Sequence, residues 1–420
     1  MRLRPRTVTF GLVFSLGTVF MLAGPAQASG GGLDPGFGVG GSAIADFNGG
    51  ADQVSVMAIQ PDGKILVGGT SVSASDSLIT KVEILRYNTD GTLDTSFRAG
   101  GKLTIAYPGE SSAWIDSMIV QPDGKIITST RAFDQTGRYF AAVTRFLPNG
   151  TRDFSFGRYG KLQGWQGELA LQDTGRIVLL GSQLSDTAQQ LVRFNTDGSV
   201  DHSFGTDGSA TLPAPGGESN FALRAMALGP NGRILLGGSL DSAIVASEVS
   251  SNGVLRTGFG GQGLASVDPG GSQTLVYGVG PGPDGSVLVG GGSQQLYVEG
   301  DLARFTSGGA PDPGFGSGGL VRTPSPLNTM ILGFASDANG DVVATLQSFS
   351  TRRDLVLARY LPDGALDPTF GNAGIANAHL GANGGSAWPV LIQPDGNIVA
   401  AGWLNNGSTD DFAVARFLPN

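Results

Sequence analysis

A chain of 420 residues with 26 Lys and Arg against 35 Asp and Glu carries a formal net charge of -9 and has no cysteine. The acidic balance leaves no phosphate-binding footprint, so nucleic acid is not an expected partner, and stability must come from burial and hydrogen bonding rather than disulfides. The length also exceeds the roughly 250 to 300 residues at which one core stops growing, a limit that stacked repeats escape.

The chain opens on Arg2, Arg4 and Arg6, an apolar run from about Val8 to Ala23, and Ala26-Gln27-Ala28. This reads as an export signal over residues 1–28, too short and too soon interrupted by Pro25 to be a membrane anchor. Its removal takes three arginines and no acid, leaving 23 basic against 35 acidic residues and a net charge of about -12. The mature chain, 29–420, is expected to be secreted or held in the cell envelope, without a membrane span and as a monomer.

From Gly31 the stretch GGLDPGFGVGGSAIADF reads as a turn and the fourth strand of a unit whose first three strands are missing. Then the pattern repeats. The wedge phenylalanine recurs at Phe37, Phe97, Phe156, Phe204, Phe259, Phe315 and Phe370, at intervals of 60, 59, 48, 55, 56 and 55 residues. A turn glycine recurs at Gly63, Gly124, Gly175, Gly232, Gly285, Gly340 and Gly396. In one unit the runs rich in Val, Ile, Leu and Ala predict strands A over 115–121, B over 125–129, C over 139–146 and D over 160–162, separated by Gly, Asp and Asn turns. Seven such units predict an all-β, seven-bladed β-propeller of four-stranded blades. The chain ends on FAVARFLPN, a third strand without its fourth. The two fragments complete one blade, which favours a ring closed by an N-terminal D strand joining three C-terminal strands over an open solenoid.

An arginine and an aspartate keep a spacing of eight across the C to D turn: Arg86 and Asp94, Arg145 and Asp153, Arg193 and Asp201, Arg304 and Asp312, Arg359 and Asp367. In the remaining complete unit both signs reverse, to Glu248 and Arg256. A reciprocal swap means contact, and these are expected to be surface pairs worth about 0 to 1 kcal/mol that fix each hairpin's register. Arg416 has no aspartate after it, and rotation about the ring assigns it Asp34.

With PDGKILVGG at 61–69 and RYNTDGTLDTSF at 86–97 in hand, the chain resembles the delta-60 repeat family of exported bacterial proteins. More distantly its turns are similar to those of NHL and gluconolactonase-type propellers. The resemblance covers residues 29–420 and implies architecture, since the shared residues are turn, wedge and pairing residues. Departures fall at Glu248 and Val249, at the short third interval, and at the turn over 173–175.

Function is therefore sought where the units differ. The A to B and C to D turns are regular, whereas irregular loops such as 68–80, 129–138, 348–354 and 404–411 all fall on the opposite face. Trp114, Trp165 and Trp388 open A strands and Trp403 closes a B strand, which predicts an aromatic binding face for a glycan, peptide or partner protein. No catalytic residue, cofactor or metal site is assigned: His202 and His379 fall in different parts of their units, and neither a nucleophile elbow nor a phosphate loop is present. The alternative is an extracellular hydrolase or lyase using two of the loop acids Asp52, Glu110, Glu218, Asp241, Asp354, Asp410 and Asp411 near the central channel. Calcium binding by the same acids is equally open, although no EF-hand loop occurs.

Overall fold

The structure, a computed structural model, describes residues 30–47, 49–73, 76–98, 100–107, 109–183, 190–212, 220–294, 298–323, 329–348, 355–380 and 383–419. The expected export signal, Glu218, Asp354 and the side chain of Glu110 lie outside these residues. Among the described residues 28 strands form seven four-stranded antiparallel sheets, the seven-bladed propeller that the repeat spacing predicts. Among the described residues helix is limited to single 3-10 turns at Pro230–Gly232 and Pro283–Gly285, and none of their helices is long and apolar enough to cross a membrane.

Strand β1 (Ser42–Ala45) belongs to the last blade. Blade 1 holds β2 (Asp52–Ile59), β3 (Ile65–Ser73), β4 (Asp76–Tyr87) and β5 (Lys102–Ile105). Blade 2 holds β6 (Glu110–Val120), β7 (Ile126–Asp134), β8 (Tyr139–Phe146) and β9 (Lys161–Gln163), and blade 3 holds β10 (Trp165–Leu171), β11 (Ile177–Gln183), β12 (Gln190–Phe194) and β13 (Ser209–Thr211). Blade 4 follows with β14 (Phe221–Leu228), β15 (Ile234–Leu240), β16 (Ala243–Val249) and β17 (Leu264–Val267). Blade 5 has β18 (Gln273–Pro281), β19 (Val287–Gln294), β20 (Val298–Phe305) and β21 (Leu320–Arg322). Blade 6 has β22 (Thr329–Ser336), β23 (Val342–Ser348), β24 (Leu355–Tyr360) and β25 (Ile375–Ala378), and blade 7 has β26 (Gly385–Ile392), β27 (Ile398–Asn405) and β28 (Asp410–Phe417).

The second strands are buried nearly from end to end, as in the run ILVGGTS of β3, because each sheet is covered by a neighbour on both faces. The core accordingly lies between blades: Leu66, Val82 and Ile84 of blade 1 pack with Ile115, Ile126 and Phe146 of blade 2. Burying a Leu, Ile or Phe side chain contributes about 1.5 to 3 kcal/mol. The first hairpin of blade 2 is longer than predicted, with pairing from Val120–Ile126 out to Glu110–Asp134.

Each wedge phenylalanine is fully buried and sits under the C to D turn of the next blade. A Cβ on Gly150 would come within 2.7 Å of the Phe97 ring, and the glycine has φ +81°, so that turn needs glycine for both space and backbone.

The charge pairs are closed, with nitrogen to oxygen distances of 2.8 Å for Arg86–Asp94, Arg145–Asp153 and Arg193–Asp201, 2.7 Å for Arg304–Asp312 and Arg416–Asp34, and 2.5 Å for Arg359–Asp367 and Arg256–Glu248. They differ from the expected surface pairs in burial and reach. Arg193 is 2% exposed and lies over the Phe204 ring at 4.7 Å, and the other five arginines that keep the motif stack the same way on Phe97, Phe156, Phe315, Phe370 and Phe37. Each also donates to a main-chain carbonyl in the next blade: Arg86 to Pro148, Arg145 to Thr196, Arg193 to Ser251, Arg304 to Pro362, Arg359 to Pro419 and Arg416 to Thr89. In blade 4 the displaced Arg256 still reaches the Ser307 carbonyl, at 3.0 Å. The pair is thus a latch between blades, because a buried guanidinium must satisfy all its donors.

The ring closes through β1, which pairs with β28 from Ser42–Ala415 to Ala45–Phe412, while β26 packs against β2.

Candidate functional site in the axial channel

The inner strands β2, β6, β10, β14, β18, β22 and β26 surround the axis. In six of them the pairing with the second strand slips, at Val54/Val56, Ile115/Ser117, Leu223/Ala225, Val276/Gly278, Ile331/Gly333 and Ala387/Val390. A bulge leaves one residue out of the ladder and re-aims its side chain. The residues released here are Ser55, Asp116, Arg224, Tyr277, Leu332 and the pair Trp388-Pro389, where Pro389 has no N–H to give the ladder. All of them line the cavities on the axis. In blade 3 the pairing stays regular, the equivalent position is Gly167, and the neighbouring Glu168 faces the axis instead.

One axial cavity has a volume of about 480 Å³ and is walled by all seven inner strands. A second one, of about 580 Å³, shares Asp116, Arg131, Glu168 and Tyr277 with it and extends toward Gln166 and Arg224. Aromatic rings form one part of the wall. Tyr277 and Trp388 meet edge to face with centroids 6.4 Å apart, and Trp114 meets Phe133 likewise at 6.1 Å. Trp114, Tyr277 and Trp388 are 37, 37 and 40% exposed, so each keeps open ring surface. Arg131 lies over Trp114 at 5.7 Å and places its Nε 3.1 Å from Asp116 Oδ1.

The two acids differ in electrostatics. Burial pushes Glu168 up to about 8, and the Asp116 charge adds to that, against a hydrogen bond from Ser117. Burial pushes Asp116 up to about 6, with Arg131 opposing. Near pH 7 Asp116 is therefore ionised while Glu168 holds its proton, an arrangement that suits a base and an acid side by side. Burial also raises the Tyr277 hydroxyl, with Arg224 opposing.

Of the four tryptophans read from the sequence, Trp114 and Trp388 line this channel. Trp165 packs edge-on against Phe194 at 5.3 Å beside the core between blades 2 and 3, and Trp403 is half-buried on β27, away from the cavity wall. None of the described acids that the loops suggested lines the channel: Asp241 accepts from Asn220 in a separate groove, Asp410 accepts from Asn405, and Asp52 and Asp411 are buried near the ring closure. Neither histidine lines it, and His202 contacts Asp207 at 2.6 Å on the surface. Sequence reasoning missed Asp116, Arg131, Glu168, Arg224 and Tyr277. A usable signal was present for three of the five, because the released residue stands eight positions before the turn glycine in every unit: Ser55, Asp116, Gly167, Arg224, Tyr277, Leu332 and Trp388.

Among solved structures, a protein of unknown function from Dyadobacter fermentans is similar over 92% of this chain and 100% of its own, with 11% identity and a TM-score of 0.50. Virginiamycin B lyase from Staphylococcus aureus is similar over 89% of this chain and 98% of its own, at 11% identity and a TM-score of 0.49. A polysaccharide lyase of family PL25, ulvan lyase, is similar over 89% and 95%, at 11% identity and 0.48. At such identities the likeness concerns the fold alone. No curated protein matches the chain. A family model described as a domain of unknown function, the DUF5122 beta-propeller, matches residues 60–97, 121–156, 172–204, 282–315, 342–370 and 393–420. The blade without a match is blade 4, where the latch charges are exchanged, so six of the seven blades carry a stretch that matches the DUF5122 beta-propeller model.

Proposed function

We propose that the protein, exported by its leader, binds a saccharide chain at the axial channel, with Trp388, Tyr277 and Trp114 as stacking surfaces and Asp116 and Arg131 as partners for ring hydroxyls. The observation that carries this reading is the convergence of three half-exposed aromatic rings and a charged pair on one cavity of about 480 Å³. Flat apolar faces beside fixed polar groups are what a sugar ring, apolar on its faces and polar at its rim, requires. The test is titration of the mature chain with neutral and acidic oligosaccharides, read by tryptophan fluorescence and calorimetry. A saturable shift is expected, with Trp388→Ala weakening affinity about tenfold, equivalent to about 1.4 kcal/mol. No saturable response to any saccharide by either method would sink the reading.

The split pair of acids favours a second reading, cleavage of the bound chain with Asp116 as base and Glu168 as proton donor. It predicts new chain ends after prolonged incubation, absent with Asp116→Asn or Glu168→Gln although both variants still bind. Binding without any product leaves the protein a non-catalytic receptor.

A further inference from the structure

A different part of the molecule holds three carboxylates that the channel does not use. Asp46 directly follows β1, Asp52 opens β2, and Asp411 lies on β28. One oxygen from each lies within 4.8 Å of the others. Asp52 is fully buried and Asp411 is 6% exposed, yet Asp52 Oδ1 and Asp411 Oδ1 are buried without a hydrogen-bond partner. Their other oxygens are used: Asp52 Oδ2 accepts the Phe47 N–H at 2.8 Å, and Asp411 Oδ2 accepts Asn406 Nδ2 at 2.9 Å. Asp46 is exposed, and its Oδ1 accepts the Gly49 N–H at 2.7 Å.

Among the described residues none of the three acids forms an ion pair with a lysine or arginine. Lys102 spends its ammonium on the main-chain carbonyl of Asp46, at 2.9 Å, and over the Phe47 ring, at 4.6 Å. Glu83, buried on β4, adds further negative charge toward Asp52. Orphaned carboxylate oxygens in a buried acidic cluster cost several kcal/mol unless a cation compensates them.

We propose that Asp46, Asp52 and Asp411 bind a calcium ion that staples the closure of the ring. An all-oxygen donor set selects a hard cation, and an irregular set of three carboxylates completed by water suits calcium better than magnesium, which demands near-ideal octahedral geometry. Asp46 is the open side through which the ion enters and keeps its water ligands. The position gives the site its role: Asp46 is carried by the N-terminal strand, Asp411 by its pairing partner β28, and Asp52 by the adjoining blade 1. One ion thus ties both ends of the chain to the neighbouring blade.

The test uses the mature chain treated with EDTA, followed by thermal unfolding and calorimetric titration with CaCl2 and with MgCl2. One calcium site is expected, with a rise in Tm that magnesium reproduces only weakly. Asp46→Ala, at an exposed position, should weaken the calcium affinity about tenfold, and Asp52→Asn and Asp411→Asn should abolish the response. Two results would overturn the proposal: a wild-type chain with neither a thermal nor a calorimetric response to calcium, or calcium affinity left unchanged by Asp46→Ala. The second decides the matter even where the buried variants fail to fold. Neither result bears on saccharide binding, since none of the three acids lines the channel.

Discussion

Glu168 illustrates how a single side chain acquires its chemistry from its surroundings. The folded chain holds the Glu168 proton up to about pH 8, whereas the unfolded chain releases it near the ordinary value of 4.5. Stability from this group is therefore fully present below that ordinary value and is lost as pH rises toward 8, by at most about 1.4 kcal/mol per pH unit for one proton. Glu168→Gln keeps a neutral side chain at every pH, so its Tm should fall less than that of wild type between pH 5 and pH 8.5. Scanning calorimetry checks this, and equal slopes for the two chains would mean that Glu168 does not hold its proton. The residue could not be singled out from the sequence. Glu168 stands one place after the registered position, and only the regular pairing of β10 with Gly167 in that position turns it to the axis.

At the scale of the element, two devices repeat. The bulge in six of the seven inner strands presents released residues to the axis, and the latch locks each C to D hairpin to the next blade. The latch was legible as a contact, because only touching residues exchange sign together as Glu248 and Arg256 do. Its burial was not legible, since spacing along one hairpin says nothing of the neighbouring blade that covers it. This difference sets the energetics. Arg145→Ala leaves Asp153 buried with no second arginine or lysine among the described residues paired to it and removes the donor to Thr196, at a cost of roughly 3 to 5 kcal/mol. Arg256 is 44% exposed, and Glu248 keeps Arg233 at 2.7 Å without it, so Arg256→Ala should cost only about 1 kcal/mol. Guanidinium denaturation of the two variants compares them directly, and equal losses would refute the buried latch.

For the whole molecule the question is what keeps a ring of seven blades from opening. The seam depends on the four-residue ladder of β1 with β28, on the Phe37 wedge, and on the Arg416–Asp34 pair at 2.7 Å. Deleting residues 30–46 removes all three and exposes the edge of β28, an invitation to aggregate. The Tm should fall by more than about 10 °C, given a few degrees per kcal/mol for a chain of this size. An unchanged Tm would show that the ring holds without its seam.

The sequence by itself determined the repeat, the number of blades, the strands of each blade and the pairs that touch, because these follow from local periodicity and from spacings repeated seven times. Only the tertiary structure decided which side chains face the axis and which acids lie together. Trp114 and Trp388 meet Tyr277, Asp116 and Glu168 at the axis only when four blades turn their inner strands toward one another. Asp46, Asp52 and Asp411 converge only when the two ends of the chain join. Such contacts depend on distances across the ring, and no local pattern along the chain encodes them.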